Sequence, residues 1–199
     1  MAEYWNHNTA YHPWVISLAT RNPGDVLDVG CGDGLLAGRL APVSRSVMGI
    51  DPDPAALGRT HDRTAGLDRV RLGHTSFDDF DPGDARFDLI TFVATIHHMD
   101  LTSALLKART LLRPSGQIAI VGLSANKTVR DWLWSALCLP AVRIASAVHR
   151  ETRDVGVVVA DPRENLDEIR AVADTVIPGA EVRRALYYRY LLRWQRTVG

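Results

Sequence analysis

Between residues 25 and 123, short apolar runs of β-forming residues alternate with segments of helical periodicity, and few folds accommodate that rhythm. The runs lie at 26–29, 47–50, 70–72, 87–93 and 117–121. Between them, residues 35–40 and 101–112 repeat apolar side chains every three or four positions, and Pro54-Ala55-Ala56-Leu57 opens a further helix. Near-continuous apolar runs joined by helices predict parallel strands covered on both faces. The expected class is α/β, a doubly wound, mostly parallel sheet.

The last third departs from this pattern. Residues 128–149 read as one or two helices rich in Trp, Leu and Ala, interrupted at Pro140. Residues 150–164 are polar around an apolar run, 155–159, whose place the pattern leaves open. Asn165 caps a helix that reaches about Val176 and stops at Pro178-Gly179. From Glu181 to Arg196, alternation predicts two antiparallel strands.

A chain of 199 residues is one domain's worth, and 46% hydrophobic content against 23% charged marks an ordinary globular protein. Lys and Arg together number 23, as do Asp and Glu, so the basic excess of a phosphate-binding surface is missing and no nucleic-acid partner is expected. Cys31 and Cys138 are too few for a disulfide framework, and neither forms a zinc-type pair. No basic start with an apolar run opens the chain, and the oily stretch near 131–149 is broken by Pro140 and Arg143. The expectation is a cytoplasmic protein without membrane contact, a monomer or homodimer.

Two features carry chemistry. The first run ends in Asp28-Val29-Gly30-Cys31-Gly32-Asp33-Gly34, where glycines allow a tight turn and let a ligand lie against the main chain. The dinucleotide fingerprint would want its third glycine at Leu35, which weakens a nicotinamide reading. The second run ends at Asp51, 21 residues beyond Gly30, the distance at which an acid can accept both hydroxyls of an adenosine ribose. Pro52 would offer the adenine an apolar face, while Asp53 before Pro54 reads as a helix cap. The bland alternatives are a ligand-free turn and a solvated carboxylate.

Residues 26–34, Asp51, residues 87–99 and Leu111-Leu112-Arg113-Pro114-Ser115-Gly116-Gln117 together resemble the class I S-adenosylmethionine-dependent methyltransferases, in their small-molecule "type 11"-like branch. The resemblance implies a seven-stranded sheet with an antiparallel C-terminal strand. It implies Asp28, Gly30 and Gly32 around the methionine moiety, Cys31 among the cofactor-binding residues, Asp51 on the ribose, and Val93 and Ala94 beside the sulfonium. The family commonly has an acid beside the adenine amine where this chain has His74, which leaves Thr75, Ser76 and Phe77 as candidates and Asp78 as a stand-in. It implies one domain over 1–199, with residues 1–22 as a lid and 124–164 as a helical insertion over the acceptor. The run typical of amino-methylating nucleic-acid enzymes, a magnesium-type carboxylate cluster and paired glutamates after the fourth strand are absent, so no metal is expected.

Methyl transfer asks for positioning of the nucleophile and exclusion of water, with a base where the acceptor keeps its proton at neutral pH. His97 follows the fourth strand at the carboxyl edge of the sheet, and with Tyr11 and His12 it is a catalytic candidate. His98 reads as the more structural of the pair. The N-terminal aromatics could instead pack on the sheet's flank, and Trp132, Leu133, Leu137 and Val142 read as core or dimer interface rather than pocket wall. His7, His12 and His97 have no metal-site spacing. The leading expectation is methyl transfer from S-adenosylmethionine, leaving S-adenosylhomocysteine, to O, N or C of a small molecule or small peptide in bacterial specialised metabolism. The alternatives are a nicotinamide-dependent oxidoreductase and a non-catalytic cofactor-binding module.

Overall fold

A computed structural model describes residues 3–152 and 161–197; the 155–159 run lies outside them. Helix α1 (His12–Arg21) precedes β1 (Asp25–Val29), α2 (Leu35–Leu40), β2 (Ser46–Asp51), α3 (Pro54–Thr64) and β3 (Val70–His74). Then come β4 (Phe87–Val93), α4 (Leu101–Leu111), β5 (Leu112–Leu123), α5 (Val129–Val148), α6 (Leu166–Val176), β6 (Glu181–Arg184) and β7 (Arg189–Gln195). The strands form one seven-stranded sheet in the order β3-β2-β1-β4-β5-β7-β6. Strands β1 to β5 pair in parallel, and β7 runs antiparallel to β5 and β6.

The apolar runs are continuous because successive side chains feed two cores. Val26, Val47, Leu89 and Ala119 pack with Val15 and Leu18 of α1 and Leu36 and Leu40 of α2. Their neighbours Leu27, Ile50, Ile90 and Ile118 meet α4 and α6 through Leu101, Leu105, Leu166 and Ile169 on the other face. Leu192 and Trp194 of β7 join that second core, which explains the alternation at the C-terminus. Chain order reverses between β1 and β4, so the crevice for a ligand opens at the carboxyl ends of those strands.

Leu-Leu-Arg-Pro-Ser-Gly serves the opposite end of the sheet. Arg113 bonds Asp88 at 2.6 Å and Asp25 at 2.8 Å, tying together the starts of β4, β1 and β5.

The expected break at Pro140 is not present: α5 runs unbroken through it. The proline and Ala136, whose carbonyl would have met its N–H, are both exposed, so water can satisfy the freed acceptor. A reciprocal Thr128–Asp131 cap starts the helix. Trp132, Leu133 and Leu137 point outward, at 63%, 66% and 74% exposure, so they are not core. Among the described residues, no helix is long and apolar enough to cross a membrane.

Candidate active site

The loop after β1 turns back onto β2. Gly30 and Cys31 N–H groups both donate to Ile50 O, at 2.8 and 3.1 Å, and Gly30, Gly32 and Gly34 hold φ of 68°, 60° and 78°. These are left-handed conformations in which L side chains are strained. At Gly30 space is also lacking, since a Cβ would collide with the Thr95 side chain at the tip of β4. Ala94 beside it has φ 54° and is held by its N–H on Val121 O at 2.8 Å, so the sheet imposes an uncommon backbone where a ligand would approach.

Two carboxylates stand at these tips. Asp51 ends β2 and is 9% exposed; Oδ2 accepts from Gly32 N–H at 3.0 Å and Oδ1 from Asp53 N–H at 2.9 Å, which aims it before any ligand arrives. Asp28 is 2% exposed, with Oδ1 accepting from Thr91 Oγ1 at 2.8 Å and Oδ2 buried without a hydrogen-bond partner. Burial pushes its carboxyl up to about 7, against the Thr91 hydrogen bond and with a further push from Asp51.

Both acids line one cavity of about 390 Å³. Gly30, Cys31, Gly32, Pro52, Thr75, Ser76, Phe77, Asp78, Val93 and Ala94 line it too, so the cofactor-side residues expected from the sequence come together. His74 instead reaches Pro52 O at 3.1 Å. The N-terminal segment closes the cavity with Tyr4, Asn6, Asn8, Thr9 and His12. Tyr4 donates from its hydroxyl to Asp33 Oδ1 at 3.0 Å, locking the segment to the glycine loop. Thr152 N–H donates to Trp5 O at 2.9 Å, and His7 Nε2 lies 3.0 Å from Ser146 Oγ, so the far end of α5 braces it from behind. No residue of α5 lines the cavity.

The catalytic candidates separate. His12 lines the cavity, with Nδ1 3.1 Å from Arg39 Nη1; a guanidinium only donates, so Nδ1 accepts and Nε2 carries the proton. Burial, reinforced by the Arg39 charge, holds it down at about 3, so it stays neutral at ordinary pH. Tyr11 is not part of the lining; its hydroxyl accepts from Leu186 N–H at 3.1 Å. His97, 6% exposed, is also outside the lining, and its ring packs 4.3 Å from that of His98. His98 is the one that lines the cavity, and burial lowers its proton affinity. The single turn Ile96–His98 aims adjacent histidines differently, which an His-His pair in sequence cannot reveal. Asn6, Asn8, Thr95 and Met99 were likewise invisible, being common residue types with no spacing signal.

The methyltransferase-domain family matches residues 26–116. An uncharacterized methyltransferase of Mycobacterium tuberculosis is 32% identical over 199 residues, covering 100% of both chains. The chain belongs to the class I S-adenosylmethionine-dependent methyltransferases. A ubiquinone biosynthesis O-methyltransferase of Paraburkholderia xenovorans is 27% identical, over 76% of this chain and 69% of its own. The fold also matches the N-methyltransferase NodS of Bradyrhizobium japonicum in complex with S-adenosylhomocysteine, with TM-score 0.65, 17% identity, 96% of this chain and 88% of the other. A 1,6-didemethyltoxoflavin-N1-methyltransferase of Burkholderia thailandensis, solved with 1,6-didemethyltoxoflavin and S-adenosylhomocysteine, has TM-score 0.65 and 17% identity over 96% and 79% of the two chains. Membership in this enzyme family sets aside the oxidoreductase and the bare binding module. The methyltransferase's cavity suits its cofactor chemically: Asp28 Oδ2 is an unused buried acceptor for an ammonium, and Asp51 is a preset acceptor for hydroxyls.

Proposed function

We propose that this methyltransferase acts on an oxygen, nitrogen or carbon nucleophile of a small molecule or small peptide, in bacterial specialised metabolism. One observation carries the reading: a single cavity holds the strand-tip carboxylates together with Asn8, His12 and His98 beneath the N-terminal segment. A space closed on that side favours small acceptors over a polymer. S-adenosylmethionine, when bound, supplies a methyl group already activated on its sulfonium. In this reading Asp28 takes the methionine ammonium, Gly30, Cys31 and Gly32 the adjoining main chain, and Asp51 the ribose hydroxyls. Pro52, Thr75, Ser76 and Phe77 surround the adenine, and Val93 and Ala94 flank the reacting end.

For the base we choose His98 over His97, because it lines the cavity and burial lowers its affinity for a proton. His98 takes the proton that an O–H or N–H acceptor sheds, and His97 orders its ring. His12 donates from Nε2 and orients the acceptor, while Tyr11 anchors the segment.

The test is turnover against pH with a panel of phenols, alcohols and amines. His98→Ala should lose most at low pH for a phenolic or alcoholic acceptor, and the loss should shrink as the acceptor ionises unaided. A pH-independent loss would leave His98 a positioning group, and a larger pH-dependent loss in His97→Ala than in His98→Ala would reverse the choice.

A further inference from the structure

Arg189 is a cation that the cofactor chemistry leaves without a use. It opens β7 and pairs with Leu123 at the end of β5, so it stands at the carboxyl edge of the sheet. At 7% exposure it is the one Lys or Arg that is buried among the described residues. Its Nε donates to Asn8 Oδ1 at 2.9 Å, and its guanidinium lies 5.0 Å from the centre of the Tyr188 ring. Among the described residues, no carboxylate comes within ion-pair distance of it.

Two other well-shielded arginines are each paired with an acid. Arg63 holds Asp33 at 2.8 Å and Arg184 holds Asp131 at 2.8 Å. The acid in Arg189's neighbourhood, Glu151, sits 3.6 Å from His7 Nε2 instead. Burial, and then Arg189's charge, lower the proton affinity of His7, with Glu151's charge pulling the other way.

A buried guanidinium cannot shed its proton, and an unpaired buried charge is costly. Asn8 lines the cavity and takes the Arg189 Nε–H on its Oδ1, which puts Arg189 behind that part of the wall. We propose that the missing counter-charge comes with the acceptor: the methyl acceptor carries a carboxylate that is held at Asn8 and Arg189. This rests on reading the Asn8 side of the cavity as the acceptor site. A carboxylate brings a single negative charge to match the single cation behind this wall. A phosphate fits less well, because the cavity lining holds Asp28, Asp33, Asp51, Asp53 and Asp78 and no Lys or Arg to neutralise a second negative charge.

The experiment uses the full chain saturated with S-adenosylhomocysteine, whose own binding is measured first by calorimetry. Acetate and benzoate are then compared with acetamide and benzamide at matched ionic strength, by melting temperature and by titration. The carboxylates should bind and stabilise where the amides do not. Arg189→Met should weaken the carboxylates at least about tenfold, the size of a charge-assisted hydrogen bond, and leave S-adenosylhomocysteine affinity unchanged. Without ligand, Arg189→Met should melt higher than the parent, because an uncompensated charge is gone. Arg189→Lys should keep a reduced preference for carboxylates.

Parent protein that treats carboxylates and amides alike overturns the proposal. So does Arg189→Met that binds carboxylates undiminished, or that melts lower or fails to fold, since the guanidinium is then structural. Failure to bind S-adenosylhomocysteine would instead break the reading of the cavity itself.

Discussion

The two sides of the cavity are built in different ways. On the glycine-loop side, Asp28, Gly30, Gly32 and Asp51 belong to two adjacent strands and the turn between them, and their bonds are mostly backbone, such as Gly30 N–H to Ile50 O. On the other side, contacts join parts of the chain far apart: Asn8 to Arg189, Tyr11 to Leu186 and His7 to Ser146. The first side is preset by local turns and strand register, and it holds its shape whatever the acceptor is. The second exists only after both ends of the chain have met, so its chemistry can vary by changing residues that no motif constrains.

Four experiments press on this contrast. The largest effect is expected from Gly32→Val, which combines strain at φ 60° with a side chain in the path of the ligand; S-adenosylhomocysteine binding should vanish in a titration while a cooperative melt survives. Binding that persists would remove the main chain from the site.

Deleting residues 1–8 takes away Tyr4, Asn6 and Asn8 but spares α1. Loss of closure should cost turnover on the order of a hundredfold and S-adenosylhomocysteine affinity much less. Equal losses in both would mean that the two sides are not separable.

Asp51→Ala removes charge-assisted bonds worth roughly 1.5–3 kcal/mol each, and affinity for S-adenosylhomocysteine should fall at least about tenfold. Unchanged affinity would detach Asp51 from the ribose.

The most diagnostic change is Asp28→Asn. The Asp28 carboxyl is raised from 3.8 to about 7, so the folded protein holds the proton more tightly than the unfolded chain across that interval. Ligand-free stability should therefore fall as pH rises from about 4 to about 7, and Asp28→Asn should flatten that slope and melt higher at pH 8, by up to about 4 kcal/mol. S-adenosylhomocysteine affinity should move the other way, weakening in the variant and, in the parent, strengthening as Asp28 ionises. A variant less stable than the parent at pH 8 would mean that Asp28 supports the fold directly.

By itself the sequence determined the parallel sheet, its helices and the glycine-side residues, because each depends on short-range rules. Apolar runs make strands buried on both faces, positive φ demands glycine, and Asp51 follows Gly30 at the spacing of one strand-helix-strand passage. The tertiary structure alone decided that α5 runs through Pro140, because only exposure of Ala136 and Pro140 lets solvent replace the lost bond. It decided that His98 lines the cavity and His97 does not, since one short turn separates neighbouring side chains. It also decided that Arg189 is buried with no acid in ion-pair distance among the described residues, because burial and charge pairing arise between residues that meet only once the chain has closed on itself.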